Sequence, residues 1–307
     1  MGKVKISKKY MFIFFTEQIT LLRSNGKLGT ARNYKRTLNS FSSFLKGKDI
    51  PLSACSEELV CNYDIYLQSR RMSRNTRSFY MRVLRSVYNK AVKQNYARQT
   101  FPFSNVYTGV DNTRKRAVDE QIIIRLKQYD LSESPSLAVA RNLFIFSYAT
   151  RGMSFIDIAF LRKHDISDGY ITYIRHKTGQ KLTIHIEPCI EGIIQHYQES
   201  NSSSPYLFPF ITSVDTQKAY TQYQTALGYY NRQLKKLGQL IGLKIPLSSY
   251  TSRHTWATVA RNHNIPIAVI SEGMGHSSEK TTRIYLASLK TSIIDRANRE
   301  ILEALNG

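Results

Sequence analysis

Between Ser249 and Tyr285 the chain sets out Arg253-His254-Thr255, then Gly275-His276-Ser277, then Tyr285, which falls nine residues after His276. These residue types can act on a phosphodiester. Arginine's planar fork binds two phosphate oxygens at once, and a fixed cation offsets the negative charge that builds on them under attack. A histidine in a Gly-His-Ser turn can hydrogen-bond a phosphate oxygen or orient a neighbour. A tyrosine hydroxyl, with a pKa of about 10, attacks near neutrality only when it is aimed and helped by positive charge or a base. Each piece alone is weak, because an arginine can simply pair at the surface and a lone histidine is usually inert.

The side chains need rigid supports, and apolar periodicity supplies them. Arg253 opens an amphipathic helix over 252–262, with Trp256, Val259 and Ala260 packing inward and the helix amides turned toward an anion. Segments 215–240, 266–273, 279–287 and 291–305 also read as helices. Tyr170–Arg175 and Lys181–Ile186 alternate β-branched residues around His176-Lys177-Thr178-Gly179, the pattern of a β-hairpin. Upstream, 11–22, 34–45, 57–67 and 76–92 are predicted helices, with breaks at Ser24–Gly26, Gly47–Pro51 and Arg70–Asn75. Two of them carry Arg32, Lys35, Arg36, Arg70, Arg71, Arg74, Arg77, Arg82 and Arg85 beside Tyr34, Tyr80 and Tyr88, with almost no acidic residues nearby. That pattern favours phosphate contact over a solvated face. Residues 101–118, with Pro102, Gly109 and the basic Arg114-Lys115-Arg116, read as an extended linker lying on DNA.

Lys and Arg total 44 against 22 Asp and Glu, a net charge of +22 spread through 307 residues without a basic tail. A distributed surplus of this size points to a polyanionic partner, since each cation set on a phosphate releases counterions. Cys55, Cys61 and Cys189 have neither disulfide-framework nor zinc spacing, so reduced thiols in a cytoplasmic protein and no metal are expected. The apolar run Met11–Phe15 is too short for a signal peptide, and no stretch approaches the ~20 apolar residues of a membrane span.

The order and spacing of Arg253-His254-Thr255, Gly275-His276-Ser277, Thr281-Thr282 and Tyr285 resemble the C-terminal half of the tyrosine recombinase (phage integrase) family. The resemblance implies a mostly α fold: a SAM-like four-helix core-site DNA-binding domain over 1–110, and an α-rich catalytic domain with a small antiparallel β-sheet over 111–307, of which 111–118 is a basic linker. It implies site-specific DNA recombination through a 3′-phosphotyrosine on Tyr285, with no metal or cofactor. Arg253 and His276 would serve the phosphate, and Lys177 on the hairpin would protonate the leaving 5′ oxygen, a role for which Arg175 and Lys181 compete. Core-site contacts would come from Arg32, Lys35, Arg36, Arg74, Arg77, Arg82, Arg114, Lys115 and Arg116. A homotetramer on paired double-stranded DNA sites is implied, its subunits linked by a C-terminal helix at 291–305 carrying Ile293, Ile294, Ala297, Ile301, Leu302 and Leu305 on one face, though that face could equally complete its own core.

The sequence departs from the family pattern twice. Tyr250 stands where the first box has histidine; its hydroxyl can donate to a phosphate oxygen but is no base. The T-G-x-R-x-x-E motif becomes Thr150-Arg151-Gly152-Met153-Ser154-Phe155-Ile156-Asp157, with Ser154 in the arginine's place. Arg151, one helical turn earlier on the same face, is expected to be the first arginine, with Asp157 supporting it. Similar Thr-Arg-Gly-Met-Ser wording occurs in recombinases of Bacteroides-type mobile elements. With the helical domain at the start of the sequence, no arm-site-binding domain is expected, and the expected outcome is that of an invertase, a Xer-like resolvase or a small integrase. The rival readings are a type IB topoisomerase, which relaxes supercoils by the same chemistry, and a catalytically silent DNA-binding relative. From the charge alone, DNA affinity should fall steeply as salt rises from 50 to 200 mM, by about 10³-fold if six or more phosphates are engaged. A binding titration that is flat with salt would contradict a phosphate-dominated interface.

Overall fold

The structure, a computed structural model, describes residues 8–111, 116–284, 286, 295, 298–299 and 302. The chain divides into two compact units between residues 113 and 114. Four helices form the first: α1 (Met11–Ser24), α2 (Leu28–Phe44), α3 (Glu57–Ser69) and α4 (Arg74–Lys93). Ser56 and Ser73 cap α3 and α4 by accepting from the Leu59 and Thr76 amides, donors that a helix start otherwise leaves unsatisfied. Helix α2 begins at Leu28 rather than at 34, because Leu28 and Ala31 already belong to its buried face. Phe14, Phe15, Phe41, Tyr63, Leu67 and Met81 are fully buried between the helices. The Phe41 ring meets Tyr63 edge-on at 5.0 Å, and the Tyr63 hydroxyl donates to Ser40 Oγ at 2.8 Å, so a polar tip is satisfied inside an aromatic core.

The segment expected as an extended linker is in part folded. Residues 101–111 pack along α4: Phe103 is buried, Ser78 donates to the Gly109 carbonyl, and Asn75 exchanges hydrogen bonds with the Asp111 main chain. Aromatic and Asx side chains hold this stretch where its Pro and Gly suggested freedom. Residues 112–115 lie outside the described residues.

The second unit contains α5 (Glu120–Gln128), α6 (Pro135–Ala149), the short α7 (Phe155–Ala159), α8 (Pro188–Ser200), α9 (Thr216–Leu240), α10 (Thr251–Asn262), α11 (Ile267–Gly273) and α12 (Glu279–Arg283). The predicted hairpin is present as β2 (Tyr170–Ile174) and β3 (Lys181–His185), paired from Tyr170 with His185 to Ile174 with Lys181. A strand not foreseen, β1 (Ile166–Ser167), makes it a three-stranded antiparallel sheet. Ile171 and Tyr173 of β2 and Leu182 and Ile184 of β3 point into the core shared with α6 and α9. A smaller core of Ala257, Ile270, Met274 and Leu286, flanked by Trp256, joins α10 to α11. The fold is mostly helical with one small sheet, as expected. Of the predicted helix 291–305, Asp295, Asn298, Arg299 and Leu302 are helical; its other apolar positions lie outside the described residues. No described helix is long and apolar enough to cross a membrane. Truncating the fully buried Phe41 to alanine should cost the first unit about 3–5 kcal/mol in urea unfolding. A loss below about 1 kcal/mol would show that the site collapses freely and is not a packed core.

Candidate active site

Helix α10 carries Arg253, and its placement begins with two serines. Ser147 of α6 donates to the Met153 carbonyl at 2.7 Å and shares a 2.7 Å hydrogen bond with Ser252. Because Ser147 spends its single proton on the carbonyl, Ser252 is the donor between them. This pair fastens α10 to α6 and leaves Arg253, 2% exposed, facing the turn after α6. Gly152 in that turn has φ +73, and a β-carbon there would lie 2.7 Å from Arg253 Cα. Only glycine permits both the conformation and the approach. The Gly152 carbonyl accepts from Arg253 Nη1 at 2.6 Å, and the Met274 carbonyl accepts from Nη2 at 2.6 Å.

His276 follows two residues after Met274. Its Nε2 lies 2.9 Å from Arg253 Nη2 and its Nδ1 lies 2.9 Å from Thr282 Oγ1. Arginine can only donate, so Nε2 is the acceptor and Nδ1 carries the proton that goes to Thr282. Burial, then the charges of Arg253, Arg175 and Lys177, push the His276 pKa down to about 3. The ring is therefore neutral near pH 7 and acts as a hydrogen-bonding wedge between Arg253 and α12.

Arg175, weighed from the sequence only as a rival to Lys177, is 4% exposed and donates through Nη1 to the Gly275 carbonyl. A signal for this was present: the alternation that turns Ile171 and Tyr173 inward also turns Arg175 inward. Lys177 is exposed at the hairpin turn, where the Gly179 amide bonds the Arg175 carbonyl. The buried Tyr173 hydroxyl is pushed up by burial and by Asp157, and down by Arg253, Arg175 and Arg151, so all three guanidiniums bear on one spot.

Two expectations about the shifted arginine need correction. Arg151 is not one helical turn from Ser154 on a common face: α6 ends at Ala149, and Arg151 sits in a turn with left-handed φ +57. From there its side chain runs beside Gly273 of α11, where an added β-carbon would meet Arg151 Cδ at 3.6 Å. Asp157 does not support Arg151. It accepts from Ser154 Oγ at 2.6 Å and from the His176 amide and Nδ1 at 2.8 and 3.1 Å. Burial alone would raise its carboxyl, but these hydrogen bonds outweigh that and hold it below the usual range. Asp157 thus braces the hairpin. Tyr250 precedes α10 and is 46% exposed, and Tyr285 lies outside the described residues.

In the first unit Arg32, Lys35, Arg36 and Arg82 are exposed. Arg77 is not free for phosphate: it pairs with Asp64 at 3.0 Å and bonds Gln68. Arg74 reaches Asp111 at 3.4 Å and covers the Tyr107 ring. Asp64 and Asp111 are distant from these arginines along the chain, so only the fold brings the pairs together. Tyr34 and Tyr88 are buried core residues. A groove of about 430 Å³ along α4 is lined by Arg82, Arg85, Ser86, Asn89, Lys90 and Lys93. Arg116 is exposed, while Arg114 and Lys115 lie outside the described residues. Among the described residues no group of three His, Cys, Asp or Glu side chains could hold a metal ion.

The chain thus has a helical unit with a basic groove, and a second unit that gathers buried arginines around a histidine turn. Two family models match: the phage integrase SAM-like domain over residues 10–106 and the phage integrase family over residues 118–292. The chain belongs to the phage integrase family, the tyrosine recombinases, whose activity is site-specific DNA recombination. It is 31% identical over 173 residues to tyrosine recombinase XerA of Pyrococcus furiosus, which covers 54% of this chain and 57% of that protein. Against XerC of Halalkalibacterium halodurans it is 25% identical over 283 residues, 89% of this chain and 91% of that one. A lambda integrase tetramer bound to a Holliday junction shares the fold, with TM-score 0.68 and 15% identity over 92% of this chain and 79% of that one.

The state of His276 has a pH consequence. Its pKa falls from about 6.5 in the unfolded chain to about 3 in the folded one, so between these values the unfolded chain binds more protons. The stabilisation is fully present above pH 6.5 and is lost as the pH drops toward 3. An NMR titration of the imidazole nitrogens should find His276 neutral at pH 5; a midpoint near 6.5 would contradict the buried geometry.

Proposed function

We propose that this protein cuts and rejoins duplex DNA through a covalent 3′-phosphotyrosine on Tyr285, with Arg253 as the principal phosphate-binding residue. The observation that supports it is Arg253 itself: a guanidinium 2% exposed, locked by two carbonyls and by His276, which stands nine residues before Tyr285 in the sequence. In the forward step the Tyr285 oxygen forms a bond to phosphorus as the bond from phosphorus to the 5′ oxygen breaks. The phenolic proton is lost to water, favoured by the surrounding positive charge, and the departing 5′ oxygen takes a proton from the Lys177 ammonium. Reversal with another strand's 5′ hydroxyl rejoins DNA without a nucleotide, because the phosphotyrosine conserves the bond energy.

Arg151 adds a second guanidinium from its turn, and the Tyr250 hydroxyl donates to a phosphate oxygen. Arg32, Lys35, Arg36, Arg82 and Arg116 grip the backbone of the core site, with Arg114 and Lys115 alongside. Pairing two sites takes four copies of the chain, a reading supported by the likeness to the lambda integrase tetramer, with the 291–305 segment as the link between neighbours. The work is done in the cytoplasm, where Cys55, Cys61 and Cys189 stay reduced. A duplex nicked beside the cleavage position traps the adduct. Wild-type chain should crosslink, Tyr285→Phe should bind DNA equally but form no adduct, and Arg253→Ala should slow adduct formation by about 10²–10³-fold, the value of one transition-state donor. Tight binding by wild type without any adduct would leave only a silent DNA-binding relative.

A further inference from the structure

We propose that Arg175 is a further phosphate-binding residue of the active centre, a third guanidinium working beside Arg253 and Arg151; the proposal rests on the recombinase reading above. Two successive carbonyls, of Met274 and Gly275, each accept from an arginine: Arg253 of α10 on the first, Arg175 at the end of β2 on the second. His276 comes next, and both arginines depress the basicity of its ring, so their charges converge on the same few ångströms. Glycine at 275 is what allows this. Its φ is +63, and a β-carbon would stand 2.9 Å from Leu182 Cδ1 and 3.3 Å from Arg175 Cδ.

Arg175 is 4% exposed, and the Gly275 carbonyl takes one of the five protons a guanidinium can donate. Among the described residues no carboxylate pairs with it, and the buried carboxylate nearby, Asp157, is taken by Ser154 and His176. A buried cation needs an opposite charge, and a fold that keeps one without a carboxylate has prepared a place for an anion. Ser154 at the start of α7 brings a neutral hydroxyl, already donated to Asp157, to the position the family fills with arginine. Arg175 supplies positive charge from the strand side of the same site. Because the donor is aimed before substrate arrives, no reorganisation is needed when charge develops on the non-bridging oxygens.

The test uses the full chain and two nicked duplexes that differ at the scissile position, one with a phosphate and one with a methylphosphonate, in which a methyl replaces a charged oxygen. Arg175→Ala should form adduct at least about 100-fold more slowly than wild type on the phosphate. On the methylphosphonate the deficit should shrink to less than about tenfold, because the charge that Arg175 offsets is gone. Arg175→Lys should fall between, since an ammonium restores charge without the fork. Loss of equal size on both duplexes, or no shift in preference between them, would reduce Arg175 to a structural strut and overturn the proposal. Arg175→Ala cleaving the phosphate duplex within about threefold of wild type would overturn it too. Wild type forming no adduct would instead sink the recombinase reading, and the wild-type lane tells that failure apart.

Discussion

The second unit is arranged around the cost of burying positive charge. Arg253 and Arg175 are 2% and 4% exposed, and a cation removed from water is tolerated only when donors find acceptors and the charge finds an opposite. Here the acceptors are main-chain carbonyls of Gly152, Met274 and Gly275. Carbonyl dipoles satisfy hydrogen bonds without cancelling charge, which for Arg175 is the basis of the phosphate-binding proposal. A carboxylate in the same place would have closed the site.

Much of the local fold serves that arrangement. Glycines at 152 and 275 are fixed by the closeness of Arg253 on one side and of Leu182 with Arg175 on the other. The serine pair between α6 and α10 sets the depth of Arg253. Asp157, the buried acid of the neighbourhood, is kept away from the arginines by Ser154 and His176, and through His176 it steadies the hairpin that carries Lys177. His276, kept neutral first by burial and then by the cations around it, accepts from Arg253 without adding charge to the cluster.

The readable parts of the sequence were those carried by short-range pattern. Apolar spacing located the helices of the first unit and the hairpin, and the order of the Arg253, His276 and Tyr285 segments pointed to the family that the family models match. What the pattern hid was long-range or conformational. The turn at Thr150–Gly152 reads as helix until the left-handed φ of Arg151 and Gly152 is known, and that error placed Arg151 on the wrong support. Asp64 and Asp111 look remote from Arg77 and Arg74 in the chain but meet them in space. Phe103 and Tyr107 turned an expected linker into a packed strap, because two aromatic side chains outweigh the freedom that Pro and Gly imply. Arg175 stood in the sequence only as a rival to Lys177 at the hairpin; charged residues are seldom buried, so its 4% exposure in the fold carries meaning.

The central claim is that this cluster of guanidiniums holds a DNA phosphate for attack by the tyrosine near the carboxyl end. Peptide mapping by mass spectrometry of the protein–DNA adduct trapped on its cognate nicked duplex tests it most directly. The account predicts a nucleotide remnant on the peptide containing Tyr285, attached through the tyrosine oxygen. A remnant on any other residue would contradict it.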